Sequence, residues 1–180
     1  RGGYVKDFHV KGVTLPNGVS LKGGGYGSAF LAGSPINASV PLGVVTPAAG
    51  NPAAAQGGIV TFDCDYQPAN DAVRTRPPVV QNITISDVKA SNVTLNGLTG
   101  SCFQAIVAQG PVASDYNGPT PAPAVLPISG VTISNCDFGT PVAAGPATVT
   151  SPGPIYAYNV NAITLSNTII AGQAVNTTIV

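Results

Sequence analysis

The acidic residues are the first candidates for acid–base chemistry, because paired carboxylates can donate and accept protons. The chain has seven acidic residues, all of them aspartates, and only Asp63 and Asp65 lie close together. On a strand these two side chains would share one face, an arrangement suited to acid–base catalysis or to a calcium ion. A solvated strand end explains the pair equally simply and is the interpretation we favour. The sequence therefore predicts no catalytic residue, no metal ligand and no cofactor site.

Three basic residues are candidates for binding an acidic polymer. Arg74 and Arg76 flank a single threonine, and Lys6 lies near the start of the chain. Guanidinium groups bind carboxylates through paired hydrogen bonds, so we predict that these residues contact an acidic polymer. The alternative is charge that keeps a loop and a strand edge soluble. His9, the only histidine, occupies a polar position between apolar residues and is expected at the surface.

The composition excludes several classes of protein. Seven basic and seven acidic residues give a net charge of zero, and charged residues make up only 8% of the chain. This removes the electrostatic basis for binding nucleic acid or a membrane surface. The 22 glycines and 17 prolines leave little room for long helices, and no apolar run approaches the roughly 18 residues of a spanning helix. We expect one soluble, all-β domain covering residues 1–180.

A short repeat organises the chain. Its pattern is apolar, polar, turn-former, apolar, polar, apolar, polar, turn-former, apolar, which describes two short strands hinged at Asn, Asp or Gly. Four copies occur, at residues 5–13, 80–88, 128–136 and 160–168.

Stacking the copies would align their apolar residues in interior columns. The predicted columns are Phe8, Ile83, Val131 and Ile163, and then Val10, Ile85, Ile133 and Leu165. The hinge column would be Asp7, Asn82, Gly130 and Ala162, where the backbone needs unusual dihedral angles. Such a stack is a parallel β-helix, a fold in which each coil contacts only its neighbours.

The spacing of the copies predicts the number of coils. Dividing the first two gaps into three and two turns of about 24–25 residues, and counting the last gap as one turn with an insertion, gives about seven coils. Intermediate strands are expected near residues 18–21, 58–62 and 102–107. Long Gly/Pro/Ala loops at 23–52, 67–78, 111–127 and 139–154 are expected to be ordered excursions or binding loops. Since the first copy begins close to Arg1, no room remains for a cap, and we expect further chain upstream in the parent protein.

The three cysteines carry little information about chemistry. Cys64, Cys102 and Cys136 lack the close pairing of a zinc or redox site. We expect small buried residues, with a single disulfide as the alternative.

The opening Arg-Gly-Gly-Tyr-Val-Lys-Asp-Phe-His-Val, the Asn-Ile-Thr-Ile-Ser-Asp repeat and Gly-Tyr-Gly at 25–27 resemble the C-terminal part of the polygalacturonases (glycoside hydrolase family 28), especially bacterial exo-acting members. The resemblance implies a right-handed parallel β-helix from an enzyme that hydrolyses the α-1,4 bonds of galacturonan in pectin. It also implies a secreted or periplasmic location.

The family's catalytic motifs do not occur in this chain. These are Asn-Thr-Asp, an Asp-Asp pair, Gly-His-Gly and Arg-x-Lys, all of which precede the matching region. An inverting glycosidase needs two carboxylates about 6.5–9.5 Å apart. We therefore expect the catalytic residues upstream, in an N-terminal remainder of the same β-helix, and an inactive chain in isolation. A non-catalytic β-helix that binds polysaccharide or serves as an adhesin or passenger segment is the alternative.

Overall fold

The architecture is all-β, as the sequence predicts. The structure is a computed structural model that describes residues 3–16, 18–22, 36–37, 44–45, 58–64, 77–96, 103–111, 120–121, 124–144 and 154–180. Within these ranges the chain forms fifteen strands and no helix. No membrane-spanning helix occurs in this described part of the chain.

The strands are short, and their bounds follow the apolar runs of the sequence. They are β1 Tyr4–Lys11, β2 Thr14–Leu15, β3 Val19–Lys22, β4 Ile36–Asn37, β5 Val44–Val45, β6 Val60–Asp63, β7 Val79–Ser86, β8 Lys89–Ala90, β9 Val93–Asn96, β10 Ile106–Gln109, β11 Ile128–Ser134, β12 Val142–Ala144, β13 Ile155–Tyr158, β14 Val160–Ile170 and β15 Gln173–Ile179.

Four sheets collect these strands. Sheet A has the order β1-β7-β11-β14-β15, sheet B has β12-β9-β3, and sheet C has β4-β5-β13-β10-β6, while β2 and β8 form a separate pair. The chain passes through sheets A, B and C in that order three times and then returns to sheet A. Every pairing is parallel except β4 with β5 and β14 with β15. We call each passage from one sheet A strand to the next a coil.

The four repeat copies are the four parallel strands of sheet A. Phe8 pairs with Ile83, Ile83 with Val131 and Val131 with Ile163, so the first predicted column is confirmed. The second column is confirmed by the same registers, because the strands alternate inward and outward residues. Ile83, Val131 and Ile163 are at most 2% exposed, whereas Phe8 is 53% exposed. The core is thus a stack of aliphatic side chains that opens at β1.

The prediction of about seven coils is wrong. Each repeat copy pairs directly with the next one, although 75, 48 and 32 residues separate successive partners in the column from Phe8 to Ile163. Each gap is therefore a single coil. The strands predicted as intermediate turns are β3, β6 and β10, which belong to sheets B and C of these same coils. The additional residues lie in the connections between strands, and sequence separation alone does not distinguish such a connection from another turn.

The predicted hinge column is confirmed in the backbone. Asp7, Asn82, Gly130 and Ala162 all have left-handed φ angles, of 52°, 56°, 64° and 63°. Aspartate, asparagine and glycine tolerate this region, whereas alanine does so at a cost of about 1–2 kcal/mol. The Asn82 side-chain amide also donates a hydrogen bond to the Asp7 carboxylate at 3.1 Å. The hinge therefore joins the first two coils through side chains as well as backbone.

A second left-handed column follows β1, β7 and β11 and falls within β14. Its members are Gly12, Asp87, Asn135 and Asn167, with φ angles of 70°, 55°, 53° and 47°. The Asn167 amide donates to the Asn135 side-chain oxygen at 2.9 Å. Backbone bonds between coils continue through these positions, since the N–H of Asp87 donates to Ser134 and that of Asn135 donates to Ser166. Two columns thus bend every coil at equivalent places.

The two ends of the stack differ. At one end β15 folds back against β14 through the turn at Ala171 and Gly172, and the β4–β5 hairpin borders β13. At the other end β1, β3 and β6 are edge strands, with no described strand beyond them. An apolar cavity of about 310 Å³ opens there, lined by Val10, Val13, Leu15, Ile59, Val60, Ile85 and Val88.

We predict that Ala162→Gly stabilises the protein by about 1 kcal/mol, because glycine removes the left-handed strain of an alanine. Urea unfolding followed by circular dichroism measures the change. The matched control is Ala157→Gly in β13, a buried alanine with no left-handed angle, which should destabilise the protein. Equal destabilisation by the two substitutions would contradict strain at the hinge.

Candidate functional site

The long connections of the chain all join sheet C. They are residues 23–35 before β4, residues 46–59 and 64–78, which flank β6, residues 97–105 and 110–127, which flank β10, and residues 145–154, which precede β13. The connections from sheet A to sheet B are short by comparison, at residues 12–18, 87–92 and 135–141. The differences in length between coils therefore fall in the connections that join strands of sheet C.

Two strands of sheet C, β10 and β13, are buried on both of their faces. Ile106 and Ile155, which pair with each other, belong to the core cluster. Val107 and Tyr156 form the next pair, point away from that core and are nevertheless 0% exposed. Burial raises the pKa of the Tyr156 phenol, and the neighbouring Tyr158 adds to the rise. Burial thus reinforces the protonated state that a phenol already has at neutral pH.

Gln104 is a polar side chain in this otherwise apolar region. It is 3% exposed, and neither atom of its amide group has a hydrogen-bond partner among the residues that the structure describes. An unsatisfied buried amide costs about 1–3 kcal/mol. Its neighbours Phe103 and Ala105 both belong to the core cluster. Nothing in the sequence pattern distinguished Gln104, because the repeat does not cover this corner.

Of the three predicted binding residues, the structure describes only Lys6. Lys6 lies on the exposed face of β1, where it pairs with Gln81 and holds its ammonium 5.9 Å from the centre of the Tyr4 ring. Arg74 and Arg76 lie in the connection from β6 to β7, outside the described residues. The binding role of Arg74 and Arg76 stays a prediction. Lys6 lies on β1, a strand of sheet A.

The other candidate residues have simpler surroundings. His9 is exposed and pairs with Thr84, as its place in the repeat predicts. Asp63 is the exposed last residue of β6, and Asp65 lies outside the described residues. Lys11 and Lys89 are exposed.

Three of the four described aspartates have structural hydrogen bonds. Asp7 accepts from Asn82, as described above. Asp87 accepts from the Ser86 hydroxyl at 3.1 Å, and Asp137 accepts from the backbone N–H of Gly139 at 2.9 Å. Their positions at hinges and turns account for these residues without catalysis. Within the described ranges, no group of three or more His, Cys or Asp side chains is arranged to hold a metal ion.

Two of the cysteines are buried free thiols. Cys64 is 5% exposed and Cys136 is 2% exposed, and neither is in a disulfide. Burial raises the pKa of Cys64 to about 11 and also raises that of Cys136, whose thiol lies 3.2 Å from the Ser134 carbonyl oxygen. The predicted role as small buried residues is confirmed for these two, and Cys102 lies outside the described residues.

No protein-family model matches the sequence, and neither a curated protein nor a solved structure matches the chain. The resemblance to polygalacturonases therefore rests on the sequence features alone.

We predict that the two buried thiols react slowly with an alkylating reagent in the folded protein. A pKa near 11 leaves about a hundredfold fewer thiolates on Cys64 than an ordinary cysteine has at mildly alkaline pH. In a Cys102→Ser variant, mass spectrometry should show slow labelling under native conditions and two rapid labels in urea. Rapid native labelling, or a mass two hydrogens lower before reduction, would contradict buried free thiols.

Proposed function

We propose that the chain forms coils of a right-handed parallel β-helix of the polygalacturonase type. The support is topological: three sheets are visited in constant order, and equivalent residues of successive coils pair in parallel. Parallel crossover connections are right-handed in nearly all proteins, which agrees with the handedness that the resemblance implies.

The ligand that we propose is galacturonan, the acidic polysaccharide of pectin. The single observation that supports this proposal is that the long connections of the chain all join strands of sheet C. One of them holds Arg74 and Arg76, and paired guanidinium groups suit the carboxylate carried by each galacturonate unit. The net charge of the chain is zero, and the connections between sheets A and B are short. Neither feature favours another surface for binding a polyanion.

We propose that hydrolysis requires the preceding coils of a parent protein. The family motifs are missing from this sequence, and three of the four described aspartates have structural roles. In this proposal the catalytic pair lies in preceding coils, which would stack on β1 and continue the columns of sheet A. The chain alone then binds galacturonan without cleaving it, outside the cytosol, where pectin is found. We propose no nucleic-acid, membrane or cofactor partner.

We predict that Arg74→Ala with Arg76→Ala weakens binding to oligogalacturonate by at least about tenfold, since a charge-assisted hydrogen bond contributes about 1.5–3 kcal/mol. Isothermal titration calorimetry measures the affinity. Lys6→Ala should change it by less than about threefold, because an exposed single charge contributes little.

The matched control removes two positive charges elsewhere, through Lys11→Ala with Lys89→Ala. If this control weakens binding as much as the arginine pair does, then net charge rather than a site beside sheet C explains the affinity. Equal affinity for a neutral polysaccharide would favour the adhesin-type alternative. Release of reducing ends by the chain alone would show that the catalytic residues lie within it.

A further inference from the structure

Gln104 and Thr168 are two polar residues that are buried within the described part of the chain, and their surroundings differ. Thr168 is 0% exposed, and its hydroxyl lies 3.2 Å from the Ser166 carbonyl oxygen and 3.3 Å from that of Ile133. Gln104 is 3% exposed, and neither its amide nitrogen nor its amide oxygen has a partner among the residues that the structure describes. The hydroxyl of Thr168 therefore supports the fold, whereas the amide of Gln104 weakens it.

The backbone beside Gln104 is held by the coils on both sides. The N–H of Ala105 donates to the Pro154 carbonyl at 2.7 Å, and the Ala105 carbonyl accepts from the N–H of Val60 at 3.0 Å. Phe103, the preceding residue, is 1% exposed and belongs to the core cluster. These contacts fix the segment, so Gln104 keeps its buried place although its amide is unsatisfied.

We infer that Gln104 is a ligand-binding residue of the galacturonan site, an inference that rests on the function proposed above. Gln104 lies near the end of the 97–105 connection, which is one of the long connections that join strands of sheet C. A buried polar group that lowers stability and has no structural partner is typical of functional sites, where ligand binding requires a group that the fold does not.

The carboxamide matches the polar groups of a galacturonate unit. Its nitrogen donates two hydrogen bonds, which a carboxylate or hydroxyl oxygen of the sugar can accept, and its oxygen accepts one from a sugar hydroxyl. In the free protein the amide has already lost its contacts with water, so the ligand gains these hydrogen bonds without further desolvation of the protein group. Gln104 thus adds an uncharged contact to the ionic contacts proposed for Arg74 and Arg76. Since its side chain is 3% exposed, a ligand reaches the amide only when neighbouring groups move.

Substitution of the two buried polar residues tests the inference. Gln104→Met keeps the length of the side chain and removes its hydrogen-bonding groups. We expect a higher midpoint of urea unfolding, together with binding of oligogalacturonate that is weaker by at least about tenfold in isothermal titration calorimetry. Thr168→Val is the matched control, because it removes a buried hydroxyl that already has partners. It should lower the urea midpoint and change the affinity by less than about twofold.

The outcomes separate this inference from the proposed function. If the wild-type chain binds oligogalacturonate and Gln104→Met binds it equally well, the inference is wrong and the proposed function stands. If the wild-type chain does not bind, the proposed function fails and the inference fails with it. A lower urea midpoint for Gln104→Met would show that the amide has a partner in the free protein, such as an internal water molecule, and would overturn the inference. Equal loss of affinity in both variants would also overturn it.

NMR spectroscopy gives a direct readout of the side chain. The two N–H signals of the Gln104 amide are identified by their absence from the spectrum of Gln104→Met. Both signals should shift when the wild-type chain is saturated with oligogalacturonate, because the amide gains hydrogen-bond partners. Signals that keep their positions at saturation would overturn the inference and would leave the binding measured by calorimetry unaffected.

Discussion

The two columns of left-handed residues in sheet A are the constraint on which the rest of the structure depends. Asp7, Asn82, Gly130 and Ala162 bend successive coils at one place, and a second column from Gly12 to Asn167 bends them again. Coils of very different length therefore present their inward side chains in the same register. If the coils did not bend at the same positions, Ile83, Val131 and Ile163 would not stack, and the chain would have no continuous core.

The chain follows the same path from sheet A to sheet B in every coil, and the lengths of the connections to and from sheet C vary. The columns constrain sheet A and the short connections to sheet B, so differences in coil length appear where strands enter and leave sheet C. The later strands of sheet A carry uncharged polar side chains outward, as in the column Thr84, Thr132 and Thr164, whereas β1 carries Lys6 and Lys11. The buried amide of Gln104, which has no hydrogen-bond partner among the described residues, and the buried outward side chains of β10 and β13 show that this side does not follow the simple repeat.

The sequence was sufficient to predict the columns, because alternation and the recurrent Asn, Asp or Gly identify which residues point inward and where the backbone bends. It was insufficient to count coils, since β3, β6 and β10 are short β-branched runs that read equally well as separate turns. The place of His9 and Lys6 followed from their position in the repeat. The surroundings of Arg74 and Arg76 did not, because no periodicity governs a long connection. The burial of Gln104 could not be predicted, because burial at a corner depends on how successive coils pack rather than on the local sequence pattern.

Direct pairing of consecutive repeat copies is the central claim, and trans-hydrogen-bond couplings in the NMR spectrum test it most directly. We expect couplings from the amide nitrogen of Asp87 to the carbonyl carbon of Ser134 and from the amide nitrogen of Asn135 to the carbonyl carbon of Ser166. Each of these couplings crosses a single coil boundary. Couplings from these amides to residues between the copies, such as 97–127, would show that further turns intervene and would contradict the three-coil stack.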